Sequence, residues 1–344
     1  MSNFSQSTSF SDLFKDKTRI GVIRGGETPE YELSLKTGGE ILKRLRSTHS
    51  YDVHDVLIDK YGVWHIDGKI VNKSFLSDYI DLAWSALHGD DGEVCHHLET
   101  LGIPYLGPDP LSAELMFHRG KKKRRLRDLG LQTPDFFEMH NMYTGDMPEE
   151  DRDAFIRERA FDIFGKLPGP WVVKPLAFSA RYHTYLAKTF PELITALRVT
   201  SMDVDDILIE EYVKGREFVS GIVPEFRNKG KYIIPAHEIK HEKEMFTHDV
   251  HRTGSFSMTP AYDVSPHVRQ LMDELSEELH KEFNLSDTAL IHFLLSSKGL
   301  YVMSVHHTPE LHEHSPLWKG LEYLGAKPED FIHSQIARLL RKKK

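Results

Sequence analysis

The sequence predicts two architectures in one chain: an α/β first third built on a parallel sheet, and an α+β remainder with largely antiparallel pairing. Three observations carry this. Between residues 19 and 101, strand-like apolar runs alternate with helix-like periodicity, the pattern of a parallel sheet covered by helices. Later in the chain, from residue 171, short apolar runs follow one another across turns, as antiparallel strands do. The composition is 40% hydrophobic and 28% charged over 344 residues, which allows two or three domains and excludes a mostly disordered or collagen-like chain.

Residues 1–16 read as a polar, Ser-rich, flexible lead with no secretory signal. Arg19-Ile20-Gly21-Val22-Ile23 reads as a buried strand ending in the Gly25-Gly26 turn, and residues 33–46 as a helix through Leu35, Ile41, Leu42 and Leu45. Strands are expected at 51–58 and 81–87, with a hairpin at 63–71 turning on Asp67-Gly68, and a helix at 93–101 after the loop 88–92. Gly107-Pro108 marks a boundary, followed by one basic helix over 111–129. Pro134, Pro148, Pro168 and Pro170 punctuate the next stretch, so loops and short elements are expected there. Strands follow at 171–175, at 207–212 and 217–223 (joined by the Lys214-Gly215 turn), and at 232–239. Helices are expected at 191–200, 266–283 and 327–340, and a hairpin at 288–307 across 296–299.

Lys and Arg number 44 against 52 Asp and Glu, a formal net charge of −8, which argues against nucleic acid as a partner. The single cysteine, Cys95, has no internal disulfide partner, so the cytoplasm is the expected compartment. No apolar run approaches the roughly 20 residues a bilayer requires, so no membrane partner is expected.

Five segments carry a resemblance. They are Gly25-Gly26-Glu27-Thr28-Pro29-Glu30 with Glu32 and Ser34; Ala86-Leu87-His88-Gly89 with Gly92-Glu93; Leu101-Gly102-Ile103-Pro104-Tyr105-Leu106-Gly107; Val172-Val173-Lys174-Pro175; and 207–211 with Gly215-Arg216-Glu217-Phe218. A sixth, 290–315, keeps the hairpin spacing with Pro309 and His314-Ser315. In this order they resemble the D-alanine–D-alanine ligase branch of the ATP-grasp superfamily over nearly the whole chain. The resemblance implies an ATP-grasp fold with an N-terminal Rossmann-like (pre-ATP-grasp) substrate domain at 17–110. Central and C-terminal ATP-grasp subdomains would occupy 111–200 and 201–344. It implies ATP as cofactor, a nucleotide and a small amino acid or peptide as partners, and a homodimer. The family reaction, ligation of a carboxylate to an amine through an acyl phosphate, supplies the dipeptide of peptidoglycan biosynthesis.

The resemblance also implies residue roles. Lys123 and Lys174 match the phosphate lysines, compact point charges suited to a phosphate. Glu210, Glu211, Tyr212 and Val213 match the segment that receives the adenine. Glu217 matches the ribose carboxylate, a good acceptor for two hydroxyls. Glu30, just before the helix at 33, matches the carboxylate that meets the amino-acid ammonium. Read as a residue alone, Glu30 is a first-turn acid favoured by the helix dipole. His88, Glu93 and Ser315 match the substrate end.

Other positions depart from the family. Its magnesium ligands, two carboxylates and an amide, are His292, Ser304 and His306 here, and magnesium wants hard oxygen donors. Two readings follow: magnesium is not held, or His292 and His306, with His307, bind a softer transition metal such as zinc. The glycine-rich phosphate loop is replaced by Leu176-Ala177-Phe178-Ser179-Ala180-Arg181-Tyr182-His183, in which Arg181 is either a substitute phosphate ligand or an exposed charge. Leu290 stands for the family's catalytic arginine and Glu310 for a glycine, and the loop 242–257 is His-rich, with His241 just before it and His248 and His251 within it, lacking the closure motif. Removing single electrostatic stabilisers costs about 100- to 1,000-fold in rate. Ligase activity is therefore expected to be weak or lost. The alternatives are an active ligase with altered substrate and metal, and a non-catalytic binding or regulatory subunit.

Overall fold

The computed structural model describes residues 17–177, 184–227, 229–245, 250 and 253–342. β1 (Arg19–Gly25) buries Ile20, Val22 and Ile23 and lies centrally in a six-stranded sheet. Around it run α1 (Tyr31–Ser47), β2 (Asp52–Ile58), β3 (Trp64–Ile66), β4 (Lys69–Ile70), β5 (Leu82–Ser85), α2 (Glu93–Thr100) and β6 (Tyr105–Leu106). The strand order is β4-β3-β2-β1-β5-β6. The β1 pairings with β2 and β5, and the β5–β6 pairing, are parallel, as the strand–helix alternation implies. β3 and β4 add an antiparallel hairpin at one edge. Asp67 and Gly68 both have positive φ (48° and 81°), which a two-residue hairpin turn demands.

The expected single basic helix is two, α3 (Pro110–Phe117) and α4 (Arg119–Asp128). His118 between them is extended (φ −88°, ψ 105°), and the Arg119 N–H donates to Leu176 O at 3.1 Å instead of continuing the first helix. α4 therefore starts docked at the end of a strand.

The second sheet has four antiparallel strands, β7 (Phe136–Met139), β8 (Trp171–Pro175), β9 (Tyr185–Ala187) and β10 (Ile207–Glu211), in the order β7-β10-β8-β9. The stretch expected to hold loops and short elements contains an 18-residue helix, α5 (Glu149–Lys166). Its signals are acids in the first turn after Pro148 and the buried stripe Ile156, Ala160 and Ile163 at i, i+4 and i+7. α6 (Phe190–Ser201) opens with a capping box between Thr189 and Glu192. Apolar residues of α5 and α6 form one cluster with β8 and β10, so these helices cover one face of the sheet.

The third sheet is antiparallel, in the order β13-β12-β11-β14-β15: β11 (Arg216–Pro224), β12 (Lys231–Lys240), β13 (Ser257–Pro260), β14 (Ala289–Ser296) and β15 (Gly299–His306). The strands expected at 207–212 and 217–223 both form, but they do not pair with each other. β10 and β11 belong to different sheets, and residues 212–215 carry the chain from one to the other. α7 (Pro266–Glu282) packs on the third sheet through Met272 and Leu279, while α8 (Pro316–Tyr323) and α9 (Pro328–Lys342) lie between the third sheet and the first. One cluster joins Ile20, Val22 and Trp84 of the first sheet to Val219 and Ile234 of the third through Trp318 and Phe331.

Phe331 is buried against Trp84, Phe226 and Trp318. Phe331→Ala is expected to cost about 3–5 kcal/mol by denaturant unfolding. Tyr61→Ala, at an 89% exposed ring, should stay within about 0.5 kcal/mol.

Candidate functional site

The second and third sheets face each other across a cleft of about 1060 Å³, open to solvent. Its inner end is built by one face of α4. Arg119, Lys122, Lys123 and Leu126 lie at i, i+3, i+4 and i+7 and are all buried. Lys121, Arg124 and Arg125 face away and pair with Glu114, Glu138 and Glu282. The sequence shows only a uniformly basic run here; helical spacing divides it into an inner and an outer face.

Lys174 on β8 lies opposite Leu208 of β10, so Glu210 is its diagonal neighbour on the cleft face. The Lys174 ammonium is 2.7 Å from Glu210 Oε2, and Lys123 is 2.9 Å from Oε1. Lys123 also donates to Thr133 Oγ1 at 2.9 Å. Glu210 and Lys123 are 2% and 3% exposed. Burial pushes the Glu210 carboxyl up, yet the two ammoniums outweigh it and hold the group down at about 2. Burial lowers Lys174 to about 8 against the pull of Glu210, with Lys123 and Arg119 adding repulsion. Arg119 donates to Pro175 O at 3.0 Å. Burial lowers its pKa, while Glu210 and Glu30 pull it back up.

Along the outer rim run Glu211, Tyr212 and Val213. Glu211 Oε1 accepts from Asp135 N at 3.2 Å, and Tyr212 donates its hydroxyl to Glu244 O at 3.0 Å. Gly215 follows, where a Cβ would come within 2.6 Å of Leu295 O, so the chain needs glycine to cross between the sheets here. Arg181 lies outside the described residues, as do His248 and His251.

Glu217 on β11 is flanked by two histidines, His292 Nε2 at 2.8 Å and His241 Nε2 at 3.3 Å. Ser304 Oγ is 2.7 Å from His306 Nε2. The register shift between His292 and Phe293 leaves Met303 as an extra residue, so Met303 and Ser304 both line the cleft. These positions do not suit magnesium: they offer two imidazoles and a hydroxyl and no anionic oxygen, and the adjacent carboxylate of Glu217 is engaged by histidines. Among the described residues, no group of three or more His, Cys, Asp or Glu is placed to hold a metal ion.

The second group of expected residues lies toward the first sheet. Glu30 is buried at the start of α1 but makes no side-chain cap, and its Oε2 lies near Gly89. His88 is buried, with Nε2 3.0 Å from Thr37 Oγ1. Burial lowers the imidazole to about 4, against the pull of Glu310. Glu93 is exposed, at the mouth of a separate cavity beside His88, with Lys73 at 3.4 Å. Ser315 is fully buried and caps α8, its hydroxyl oxygen accepting from Trp318 N at 3.4 Å. The structure thus brings Lys123, Lys174 and Glu210 into contact, sets Glu217 beside His292 and places His88 and Glu93 along one separate cavity, while Ser315 is a buried helix cap. Arg119, Lys122 and Thr133 are site residues that the sequence reading missed.

Two antiparallel sheets closing on a lysine-floored cleft, set against a mostly parallel N-terminal sheet, define the ATP-grasp class of fold. The family described as "D-ala D-ala ligase C-terminus" matches residues 126–337, more than half of the chain. The chain belongs to the D-alanine–D-alanine ligase family. A D-alanine–D-alanine ligase of Bacillus anthracis is 27% identical over 326 residues, covering 95% of this chain and 98% of its own length. That of Geobacter sulfurreducens is 28% identical over 296 residues, covering 85% and 84%. The crystal structure of the D-alanine–D-alanine ligase from Bacillus anthracis complexed with ATP matches with a TM-score of 0.71 at 26% identity, covering 94% of this chain and 98% of that one. D-alanyl-alanine synthetase A from Vibrio cholerae matches in fold, with a TM-score of 0.74 at 20% identity, covering 95% and 99%.

Glu210→Gln leaves two buried ammoniums without their shared anion, and denaturant unfolding should register a loss of about 3–5 kcal/mol. Two buried histidines set a pH dependence. His88 and His280 are each lowered by burial from 6.5 to about 4. His307 is lowered to about 3 in the same way, while burial raises Asp90 and Asp273 to about 6 and so pulls in the opposite direction between pH 4 and 6. The part of the stability that His88 contributes is full above about pH 6.5 and falls as the pH drops toward 4. Unfolding midpoints measured across this range should show His88→Gln losing less stability than the unsubstituted chain as the pH drops from about 6.5 to 4.

Proposed function

We propose that the cleft binds ATP and that the chain is an ATP-grasp ligase homologue whose dipeptide ligation is weak or lost. One observation carries this reading: the floor of the cleft keeps Lys123 and Lys174 poised on Glu210, while the facing hairpin offers His292, Ser304 and His306 where the family reaction needs anionic oxygens. The ATP-bound relative supports nucleotide binding. The adenine would lie along 210–213, whose backbone can read its edge. Glu217 would meet the ribose hydroxyls once released from a histidine. Lys123 and Lys174 would turn from Glu210 to the phosphates, exchanging one anion for another.

At the substrate end, Glu30 is the carboxylate for an amino-acid ammonium. Glu310 is close enough to act on the charge of His88. A second carboxylate there repels the phosphorylated intermediate that ligation requires. Leu290 is apolar and gives a transferred phosphoryl group no compensating charge. The same reading takes the chain as a homodimer, which light scattering checks.

Calorimetry should detect ATP binding, and Lys174→Ala should abolish it; unchanged affinity would remove the assignment. With ATP, D-alanine and magnesium, phosphate release should fall at least about 100- to 1,000-fold below that of the Bacillus anthracis ligase assayed alongside. Sustained release at a comparable rate would identify an active ligase and overturn the loss of ligation.

A further inference from the structure

Lys122 is a buried cation for which the roles assigned above give no reason. It is 5% exposed and lines the cleft with Ser304 and His306. Its ammonium donates to Met116 O and Val305 O, each at 3.3 Å. Val305 stands between Ser304 and His306, so this positive charge is seated against the strand whose side chains fail to fit a divalent ion. Lys123 and Lys174 both pair with Glu210. Lys122 forms no ion pair among the described residues, and its two carbonyl contacts are long. Burial lowers it to about 7, and Arg119, Lys174 and Lys123 all repel it, while the attraction comes from Glu30. A buried ammonium in such surroundings is costly unless an anion joins it.

We propose that Lys122 is a resident cation in place of a divalent ion, and that the cleft binds the polyphosphate of ATP without metal. This rests on the reading of the cleft as a nucleotide site. Arg119, Lys122, Lys123 and Lys174 make the inner end cationic, against Glu210 and Glu30. The remaining acids of the cleft lie further out and are engaged, Glu211 at Asp135, Glu217 at its histidines and Glu244 at Lys188. A triphosphate entering phosphate-first would meet donors whose charge is covalently part of the protein.

The test is calorimetry of the full chain with ATP in excess EDTA and again in excess magnesium. The dissociation constants should agree within about threefold. Lys122→Met should weaken ATP binding about ten- to hundredfold in EDTA, the range for losing a hydrogen bond to a charged group. Lys122→Gln, which keeps a donor for the two carbonyls but no charge, should do the same if the methionine variant does not fold. ATP bound only with magnesium overturns this inference and leaves the nucleotide reading standing. No binding under either condition overturns both. Equal binding by a folded Lys122 variant removes the residue from the role.

Discussion

The carboxylate of Glu210 is the constraint on which the inner architecture depends. It comes from β10, one ammonium partner comes from β8, and the other from α4, so a single side chain ties a helix to two strands of the second sheet. Buried charge of this kind is costly unless its members are compensated. That explains why the start of α4 is fastened twice to the end of β8, by Arg119 N to Leu176 O and by its guanidinium to Pro175 O. The same pairing keeps both lysines where an incoming anion would need them. An anion competing for them must displace a carboxylate already held at close range, so tight packing and affinity pull against each other at this point.

Much of the fold was legible. The alternation in the first third marked the parallel sheet because buried strands and amphipathic helices differ in period, and Asp67-Gly68 marked its hairpin because few residue pairs accept positive φ. The misses have physical causes. α5 was hidden by prolines on both sides, though its stripe of Ile156, Ala160 and Ile163 was there to be counted. The split at His118 arises from a backbone bond to Leu176, nearly sixty residues away, which no local pattern encodes. β10 and β11 were legible as strands joined at Lys214-Gly215, but sequence spacing does not say which sheet each strand joins.

The site was legible where charge and spacing coincide and obscure elsewhere. Lys174, at the end of an apolar strand beside a proline, stood out from its surroundings. Lys122 and Arg119 were lost in a run where every residue is basic, and only burial separates the inner face from the outer. Ser315 illustrates the converse: a serine before a proline is a ready helix cap, and the fold uses it so. The pairing of Glu217 with two histidines could not be read from sequence, because it joins β11, β14 and the segment just beyond β12.

The crossing at 212–215 has one further consequence. It is the short covalent link between the two facing sheets, it is pinned by Tyr212 N to Pro170 O at 2.8 Å, and it ends at a glycine pressed against Leu295. In the proposed nucleotide reading it is also the rim along which a planar ring would dock. A guest seated there would act as a splint across the joint, and the gape of the two jaws would be set by whatever fills that short edge.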